Sequence, residues 1–224
     1  MKKDLISMLR CDLHVHTEYS RDSESRIPDI LRRAGRAGLD AVAITDHDTL
    51  EGAREAQSHP SEVLVIPGIE VSTRQGHLLV LGIDAPLPPG RDFSRTVEAA
   101  HRMGGLCILP HPFHPWRHGA GHRFAEVDAV ETFNSRYITG SANRKAARIA
   151  RASNKPQVGG SDAHLARFVG YGYTLVDASP TVEEICRAIR EGRARPGGRM
   201  TPLSTYSRQS MNSLVRKVRG RLIR

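Results

Sequence analysis

The segment CDLHVHTEYSRDS, from Cys11 to Ser23, combines a short apolar strand pattern with two histidines one residue apart. Successive side chains of a strand point to opposite faces, so His14 and His16 lie on the same side of an extended chain. A second pair, Asp162 and His164, follows the apolar segment PQVGG in the same spacing. Both members of each pair can therefore reach one common centre.

Short apolar segments alternate along the chain with segments of helical periodicity, as in an α/β fold. Strands are predicted at DLHV, AVAIT, VLVIPGIEV, HLLVLGI, LCILPH, VDAVETF and PQVGGSD. Helices are predicted over Pro28–Gly38, Thr49–Ser58, Ser94–Met103, Ala142–Ser153 and Thr181–Glu191. This alternation indicates parallel strand pairing through right-handed crossovers. About seven such units favour a TIM-like barrel, and an open sheet is the alternative.

Composition and charge bound the class of protein. No apolar run approaches the ~20 residues that a membrane span needs, and the start of the chain is too broken for a signal peptide. The three cysteines lie far apart, so we expect no disulfide framework and a cytoplasmic location. Nine of the 33 basic residues and none of the 24 acids lie from Arg193 to Arg224. The first 192 residues are therefore neutral overall, and the end of the chain is basic.

Ionisable side chains occur at an end of nearly every predicted strand. Parallel barrels build their active sites where the carboxyl ends of the strands meet. The residues at these positions are His14, His16, Asp46, His47, Asp48, Glu70, His77, His111, Asp162 and His164.

A cluster of this kind indicates a metal centre. A single histidine is more often a hydrogen-bonded or surface residue, but burying so many ionisable groups together would cost several kcal/mol each. Divalent cations such as Mn²⁺, Zn²⁺ or Fe²⁺ remove that cost, because they bind imidazole and carboxylate. No cysteine is suitably placed for a structural thiolate site. Since one ion cannot use so many ligands, we expect two or three.

Six motifs carry a resemblance to a known family. In order, DLHVHT, ITDHD, PGIE, HLLVLGI, LPHP and GSDAH, from Asp12 to His164, resemble the motif series of the PHP (polymerase and histidinol phosphatase) family. The resemblance implies a distorted (β/α)7 TIM-like barrel in which a trinuclear metal site at the carboxyl ends of the strands hydrolyses phosphate esters.

The same resemblance implies a set of metal ligands. His14 and His16 would bind one ion together with Glu70 and Asp162. Glu70 would bridge to a second ion bound by His77 and His111. The ligands of the third would be Asp22, His47 and His164.

One loop departs from the spacing that is common in the family. Arg21 separates Ser20 from Asp22, where many members have the aspartate directly after the serine. We expect Asp22 to be the ligand, with Glu18 as the alternative. Asp46 and Asp48 are expected to orient ligands. For Asp48, capping of the helix that begins near Thr49 is equally consistent with the sequence.

Hydrolysis is expected to use a metal-bound hydroxide, because a bound cation lowers the pKa of water toward ~7. Donor groups must also stabilise the remaining phosphoryl oxygens. The basic loop from His111 to Arg123 supplies candidates, of which Arg117 and His114 are predicted to be catalytic and to bind substrate. A solvated basic loop is an equally good interpretation. Arg136 and Arg144 are weaker candidates for substrate binding.

The motif pattern is most similar to stand-alone phosphoesterases that act on nucleotides or oligonucleotides. Only 33 residues separate His77 from His111, where familiar members carry a large insertion, so a more open pocket is expected. A small phosphomonoester such as histidinol phosphate is the alternative substrate. Two other classes are a C–N hydrolase of the amidohydrolase type and a non-catalytic nucleic-acid-binding module. The six motifs without clear loss of a ligand favour phosphoester hydrolysis.

The predicted division of the chain is a phosphoesterase domain over residues 1–198 and a basic tail or helix over 199–224. Apolar residues form one helical stripe in the tail: Met211, Leu214, Val215, Val218 and Leu222. The simplest interpretation is a helix that packs on the barrel. Because nine cations without an acid attract polyanions, the tail is also predicted to draw nucleic-acid ends toward the metal site. The sequence leaves the oligomeric state open.

Overall fold

The structure, a computed structural model, describes residues 8–114, 119–121, 123–137 and 139–202. The strands in these ranges are β1 (Leu9–Val15), β2 (Ala41–Ile44), β3 (Leu64–Ser72), β4 (His77–Leu81), β5 (Leu106–Leu109), β6 (Ala129–Asn134), β7 (Gln157–Gly160), β8 (Gly172–Val176) and β9 (Ala194–Gly198). The α-helices are α1 (Ile27–Arg36), α2 (Glu51–Ser58), α3 (Phe93–Arg102), α4 (Ser141–Ala152) and α5 (Val182–Arg190).

The strands form one sheet in the order β7-β6-β5-β4-β3-β2-β1-β8-β9. The end of the sheet at β7 curls back toward β1 and β8. The His16 backbone N–H donates to the Ala163 carbonyl at 3.0 Å, and the Gly159 N–H donates to Thr174 Oγ1 at 2.8 Å. The sheet is thus nearly closed, which confirms the predicted α/β barrel, with two strands more than the seven expected.

The expectation of parallel pairing throughout was wrong. Strand β4 runs antiparallel to both of its neighbours, β3 and β5. Only Thr73–Gly76 connects β3 to β4, and the Thr73 N–H donates to the Gly76 carbonyl at 3.0 Å. A parallel partner needs a crossover of a dozen or more residues, so this short connection can only make a hairpin. As a result, the beginning of β4 lies beside the end of β3.

The last two strands were not predicted. Strand β8 pairs antiparallel with β1, and β9 pairs antiparallel with β8 at the edge of the sheet. The sequence of β9, ARPGG, consists largely of residues that are depleted in strands. Proline and glycine are tolerated at a sheet edge, where the pairing partner rather than local propensity determines the conformation.

The five predicted helices are present, with ends shifted by at most two residues. Two apolar clusters cover the two faces of the sheet. Alternate residues of β2 divide between them, since Val42 and Ile44 belong to one and Ala41 and Ala43 to the other. Both faces are therefore packed, and the ionisable residues at the strand ends lie at the margin of this core.

Candidate metal centre

The nine predicted ligands converge at one edge of the sheet. They come from the end of β1 and the loop after it, from the loops after β2, β5 and β7, from β3, and from the first residue of β4. Because β4 is antiparallel to β3, its first residue, His77, pairs with Ser72 at the end of β3. The hairpin thus brings His77 to the edge where the neighbouring parallel strands end.

The first group of potential ligands surrounds one oxygen of Glu70. His14 Nε2 lies 3.1 Å from His16 Nε2 and 3.3 Å from Glu70 Oε2. His16 Nε2 is 3.3 Å from Glu70 Oε2 and 3.5 Å from Asp162 Oδ1. All four residues are buried.

The chemistry of this group fits a cation. A carboxylate only accepts hydrogen bonds, so His14 Nδ1 carries a proton and donates it in a hydrogen bond to Glu131 Oε1 at 3.0 Å. The other ring nitrogen of a neutral His14 then presents a lone pair toward His16, Glu70 and Asp162. Acceptor atoms that face one another in a buried space repel unless a cation lies among them. A divalent cation satisfies all of them at once.

The second oxygen of Glu70 faces a different pair of imidazoles. Glu70 Oε1 lies 2.8 Å from His77 Nδ1 and 2.9 Å from His111 Nε2. The two oxygens of one carboxylate thus contact two separate sets of histidines. This is the arrangement expected of a carboxylate that bridges two cations.

A third group lies on the far side of His16. Asp22 Oδ2 is 2.8 Å from His164 Nε2 and 3.8 Å from His47 Nε2. One ligand atom from each of His16, Asp22, His47 and His164 lies within 4.8 Å of the others. Glu18 is exposed and belongs to none of the ligand groups found among the described residues, which supports Asp22 for this position.

The charges of the cluster shift the pKa values of its members. Burial alone would raise the pKa of Glu70, but the imidazoles of His47, His14 and His77 outweigh burial and hold it well below its usual value. Burial would lower the pKa of His14, yet the carboxylates of Asp162, Glu131 and Glu70 raise it well above its ordinary value. Positive charge is therefore strongly stabilised at this end of the cluster.

The opposite end of the cluster favours neutral imidazole. Burial lowers the pKa of His47 to about 4. Burial and the nearby Arg136 guanidinium hold the pKa of His164 well below its ordinary value. A neutral imidazole has the free lone pair that a metal ligand needs.

Glu131, in β6, is a residue of the site that sequence reasoning missed. Besides accepting from His14, it accepts from the His111 backbone N–H at 2.7 Å and from Asn134 Nδ2 at 2.9 Å. Asn134 Nδ2 also donates to Asp162 Oδ2 at 3.0 Å. The available signal was a glutamate inside the apolar strand pattern VDAVETF. Glu131 and Asn134 together fix the positions of three predicted ligands.

Asp46 and Asp48 act on the backbone of the site. Asp46 accepts from the Thr17 N–H at 2.6 Å and from Thr17 Oγ1 at 2.7 Å. Asp48 accepts from the Ser72 N–H at 2.7 Å. At the start of helix α2 the Glu51 N–H donates to Thr49 Oγ1 at 3.2 Å, and the N-cap residue Leu50 makes no side-chain hydrogen bond, so the capping alternative for Asp48 is not observed. Both aspartates hold loops that carry predicted ligands.

Two predicted ligands have unusual backbone conformations. The φ angles of His111 and Asp162 are 27° and 52°, in a region that residues other than glycine adopt uncommonly, although aspartate and histidine enter it more readily than most. Each residue follows the end of a strand, where a sharp change of direction aims its side chain into the cluster. Strain of this kind is characteristic of functional sites.

The residues predicted to bind substrate differ in their positions. The His114 ring is half-buried, stacks on Tyr137 with ring centroids 5.3 Å apart, and lies 6.3 Å from the His111 ring. Arg117 lies outside the described residues. Arg144 is exposed on α4, and no hydrogen bond or ion pair links its side chain to another described residue.

Arg136, which the sequence ranked among the weaker candidates, does reach the cluster. Its Nη1 lies 3.4 Å from Asp162 Oδ1 and 2.9 Å from His164 Nε2. The Arg136 side chain is largely buried, so its positive charge acts at short range on these two residues.

Comparison with known sequences supports the predicted family. A family model described as PHP-associated matches residues 140–194. An uncharacterised protein of Methanocaldococcus jannaschii is 34% identical over 149 residues, which cover 60% of this chain and 87% of the relative. A phosphoribosyl 1,2-cyclic phosphate 1,2-diphosphodiesterase from Eggerthella lenta is 35% identical over 85 residues, covering 34% of this chain and 32% of that protein.

Solved structures share the fold. A two-domain protein from Bacteroides vulgatus, containing a predicted PHP-like metal-dependent phosphoesterase, superposes with a TM-score of 0.71 at 18% identity over 86% of this chain and 65% of that one. A lesion-specific endonuclease from Pyrococcus furiosus gives a TM-score of 0.63 at 20% identity, over 84% of this chain and 57% of that one.

A barrel that gathers imidazoles and carboxylates at one edge of its sheet is typical of metal-dependent hydrolases. The chain belongs to the PHP family of metal-dependent phosphoesterases. Among the described residues, no helix has the length and apolar character that crossing a membrane requires.

Proposed function

We propose that the chain hydrolyses phosphate esters with two or three divalent cations, Mn²⁺, Zn²⁺ or Fe²⁺, bound by nine residues. These are His14, His16, Asp22, His47, Glu70, His77, His111, Asp162 and His164. The observation that carries the proposal is the position of Glu70, whose two oxygens face separate sets of imidazoles. When bound, the cations would activate a water molecule and neutralise charge on the phosphoryl group.

The protein's own residues prepare the site for this reaction. Glu131 accepts a hydrogen bond from the Nδ1–H group of His14 and so directs the lone pair of Nε2 into the cluster. Ser20 Oγ lies 3.1 Å from His16 Nδ1 and accepts from the His47 N–H at 3.0 Å. These contacts fix the orientation of the imidazoles before any ion arrives, which reduces the reorganisation that binding requires.

Cationic groups near the cluster are proposed to hold the substrate. Arg136 is the described residue best placed to contact a phosphoryl oxygen, because its guanidinium already reaches Asp162 and His164. His114, beside His111, is proposed to contact the same group or the leaving oxygen. Arg117 and Arg144 remain proposals from the sequence. Donors of this kind stabilise the charge that develops on the phosphoryl oxygens during displacement.

Nucleotides or oligonucleotide ends are the proposed substrates. The similarity to a cyclic phosphodiesterase of a ribosyl phosphate supports a phosphate ester on a sugar, and the net charge of +9 favours polyanions. A small phosphomonoester is the second candidate, and a nucleic-acid-binding module without catalysis is the alternative from another class. The proposed division into residues 1–198 and a basic tail is retained, but residues 203–224 lie outside the described part of the chain.

A substrate screen tests this proposal. The purified chain is loaded separately with Mn²⁺, Zn²⁺ and Fe²⁺ and assayed on an aryl phosphate, nucleotides, short oligonucleotides and amino-alcohol phosphates. We expect turnover of the aryl phosphate with at least one metal, and the highest kcat/KM on nucleotides or oligonucleotides. Preference for an amino-alcohol phosphate would favour the second candidate. Bound metal without turnover of any phosphate ester would contradict the proposed hydrolase.

A further inference from the structure

Four arginines and two tyrosines line an open depression of about 400 Å³ on a different part of the barrel. Its walls come from α1, the start of β1 and the paired strands β8 and β9. The charged and aromatic residues of its lining are Arg10, Arg33, Arg36, Arg199, Tyr171 and Tyr173. We refer to this depression as the arginine pocket.

The guanidinium groups of the arginine pocket have no acidic partners within the described chain. None of the four forms an ion pair there, and Arg10 Nε and Arg33 Nε are buried without a hydrogen-bond acceptor. Asp40 lies nearby, but it accepts from the Arg10 backbone N–H at 2.7 Å rather than from the guanidinium. Asp12, which accepts from the Gly170 N–H at 2.8 Å, is fully buried. Buried donors without acceptors are costly, so a ligand that supplies acceptors would be stabilised here.

The tyrosines hold two of these cations in place. The Arg10 guanidinium lies 3.9 Å from the centre of the Tyr173 ring, and that of Arg199 lies 4.0 Å from the Tyr171 ring. Stacking on an aromatic face favours a fixed orientation of the guanidinium. Since a guanidinium covers one face of each ring, recognition in the pocket depends on charge rather than on stacking of a base.

We propose that the arginine pocket is a second, metal-independent site that binds closely spaced phosphate groups. Four like charges in one depression repel one another, and the attraction of a bound polyanion compensates that repulsion. The planar guanidinium matches the geometry of phosphate oxygens. Arg10 and His14 are four positions apart on β1, a distance of roughly 13 Å along a strand, so the pocket is distinct from the candidate metal centre. This site does not depend on the proposed hydrolytic activity.

Two sources of such phosphate groups are a nucleic-acid strand and a free polyphosphate. The test uses the full chain and two probes, a fluorescein-labelled single-stranded oligonucleotide followed by anisotropy and tripolyphosphate followed by calorimetry. The main variant is Arg33→Gln/Arg36→Gln. The matched control is Arg148→Gln/Arg151→Gln, which removes the same charge from exposed positions of α4 that do not line the pocket.

We expect the main variant to bind at least one probe about tenfold more weakly, with or without chelation of metal, while the control binds like the unmodified chain. For the oligonucleotide, the slope of log Kd against log salt should fall by roughly 1.4, about 0.7 for each lost phosphate contact. Loss restricted to the oligonucleotide identifies a strand as the ligand, and loss restricted to tripolyphosphate identifies a free polyphosphate. Turnover of an aryl phosphate should not change.

The proposal is overturned if neither probe distinguishes the main variant from the control. Thermal unfolding of both variants shows whether the fold is retained. Should Arg33→Gln/Arg36→Gln fail to fold, Arg36→Gln/Arg199→Gln replaces it, because both of these side chains are exposed. The same outcomes then apply to the replacement.

Discussion

The position of Asp22 indicates which carboxylate of the loop after β1 belongs to the candidate metal centre. Its carboxylate lies 2.8 Å from His164 Nε2, although Arg21 displaces it from the usual position after Ser20. Asp22→Ala is expected to lower turnover by orders of magnitude and to remove metal from the group formed with His47 and His164. Glu18→Ala, four residues earlier and exposed, is the matched control and should leave both quantities nearly unchanged. The reverse pattern, measured by kinetics and metal analysis, would reassign the ligand.

Glu131 is predicted to matter although it is not one of the nine proposed ligands. Glu131→Gln retains the size of the side chain but removes the charge that His14 Nδ1 requires. Metal affinity or turnover should fall about 10- to 100-fold, the usual effect of losing a partner that orients a ligand. Glu98→Gln, at an exposed position of α3, is the control. Native metal affinity and native turnover in Glu131→Gln would show that this hydrogen bond is dispensable.

Most of the proposed ligands could be inferred from the sequence because they belong to motifs at an end of an apolar segment, whereas Asp22 lies in the loop after β1. Glu131 and Asn134 could not be inferred, since their importance depends on β6 lying beside β5 and β7. The positive φ angles of His111 and Asp162 were likewise invisible, because neither histidine nor aspartate demands that conformation locally. The sequence motifs thus identify candidate side chains, whereas the pairing of the strands determines which side chains lie close together.

At the scale of elements, helices were predicted more closely than strands. An amphipathic helix carries its own periodicity and its own start signals, whereas the direction of a strand depends on the length of the connection. The hairpin between β3 and β4 illustrates this, since the apolar pattern of HLLVLGI is compatible with either direction. Strand β9 shows the extreme case, in which pairing with β8 overrides an unfavourable composition.

The start of α5 offers a test of whether a local start signal stabilises a helix of this protein. Thr181 is the N-cap residue of this helix, and its Oγ1 accepts from the Glu184 N–H at 3.2 Å. Thr181→Ala should lower the free energy of unfolding by about 1 kcal/mol. For a chain of this size the melting temperature should fall by roughly 2–4 °C. Thr181→Ser retains the acceptor and should restore most of the loss, and turnover of an aryl phosphate should be unaffected. Equal melting temperatures for the alanine and serine variants would contradict a stabilising cap.

For the molecule as a whole, the apolar core and the candidate metal centre have opposite effects on the stability of the fold. The two apolar clusters stabilise the barrel, whereas the buried imidazoles and carboxylates at its edge are costly unless a cation compensates them. Ions that bind the folded chain stabilise it by mass action. Chelation should therefore lower the melting temperature by several degrees, and returning the metal should reverse the change. If the melting temperature is the same with and without chelator, the cluster is stable without ions.

The number of metal ions per chain is the most direct test of the central claim, measured by elemental analysis beside turnover of an aryl phosphate. We expect two or three ions in the unmodified chain. Glu70→Gln should lower that number and abolish turnover, because Glu70 contacts both sets of imidazoles. His77→Ala should empty mainly one site, and Glu98→Gln should match the unmodified chain. Full metal content with near-native turnover in Glu70→Gln would contradict the bridging role on which the proposed centre depends.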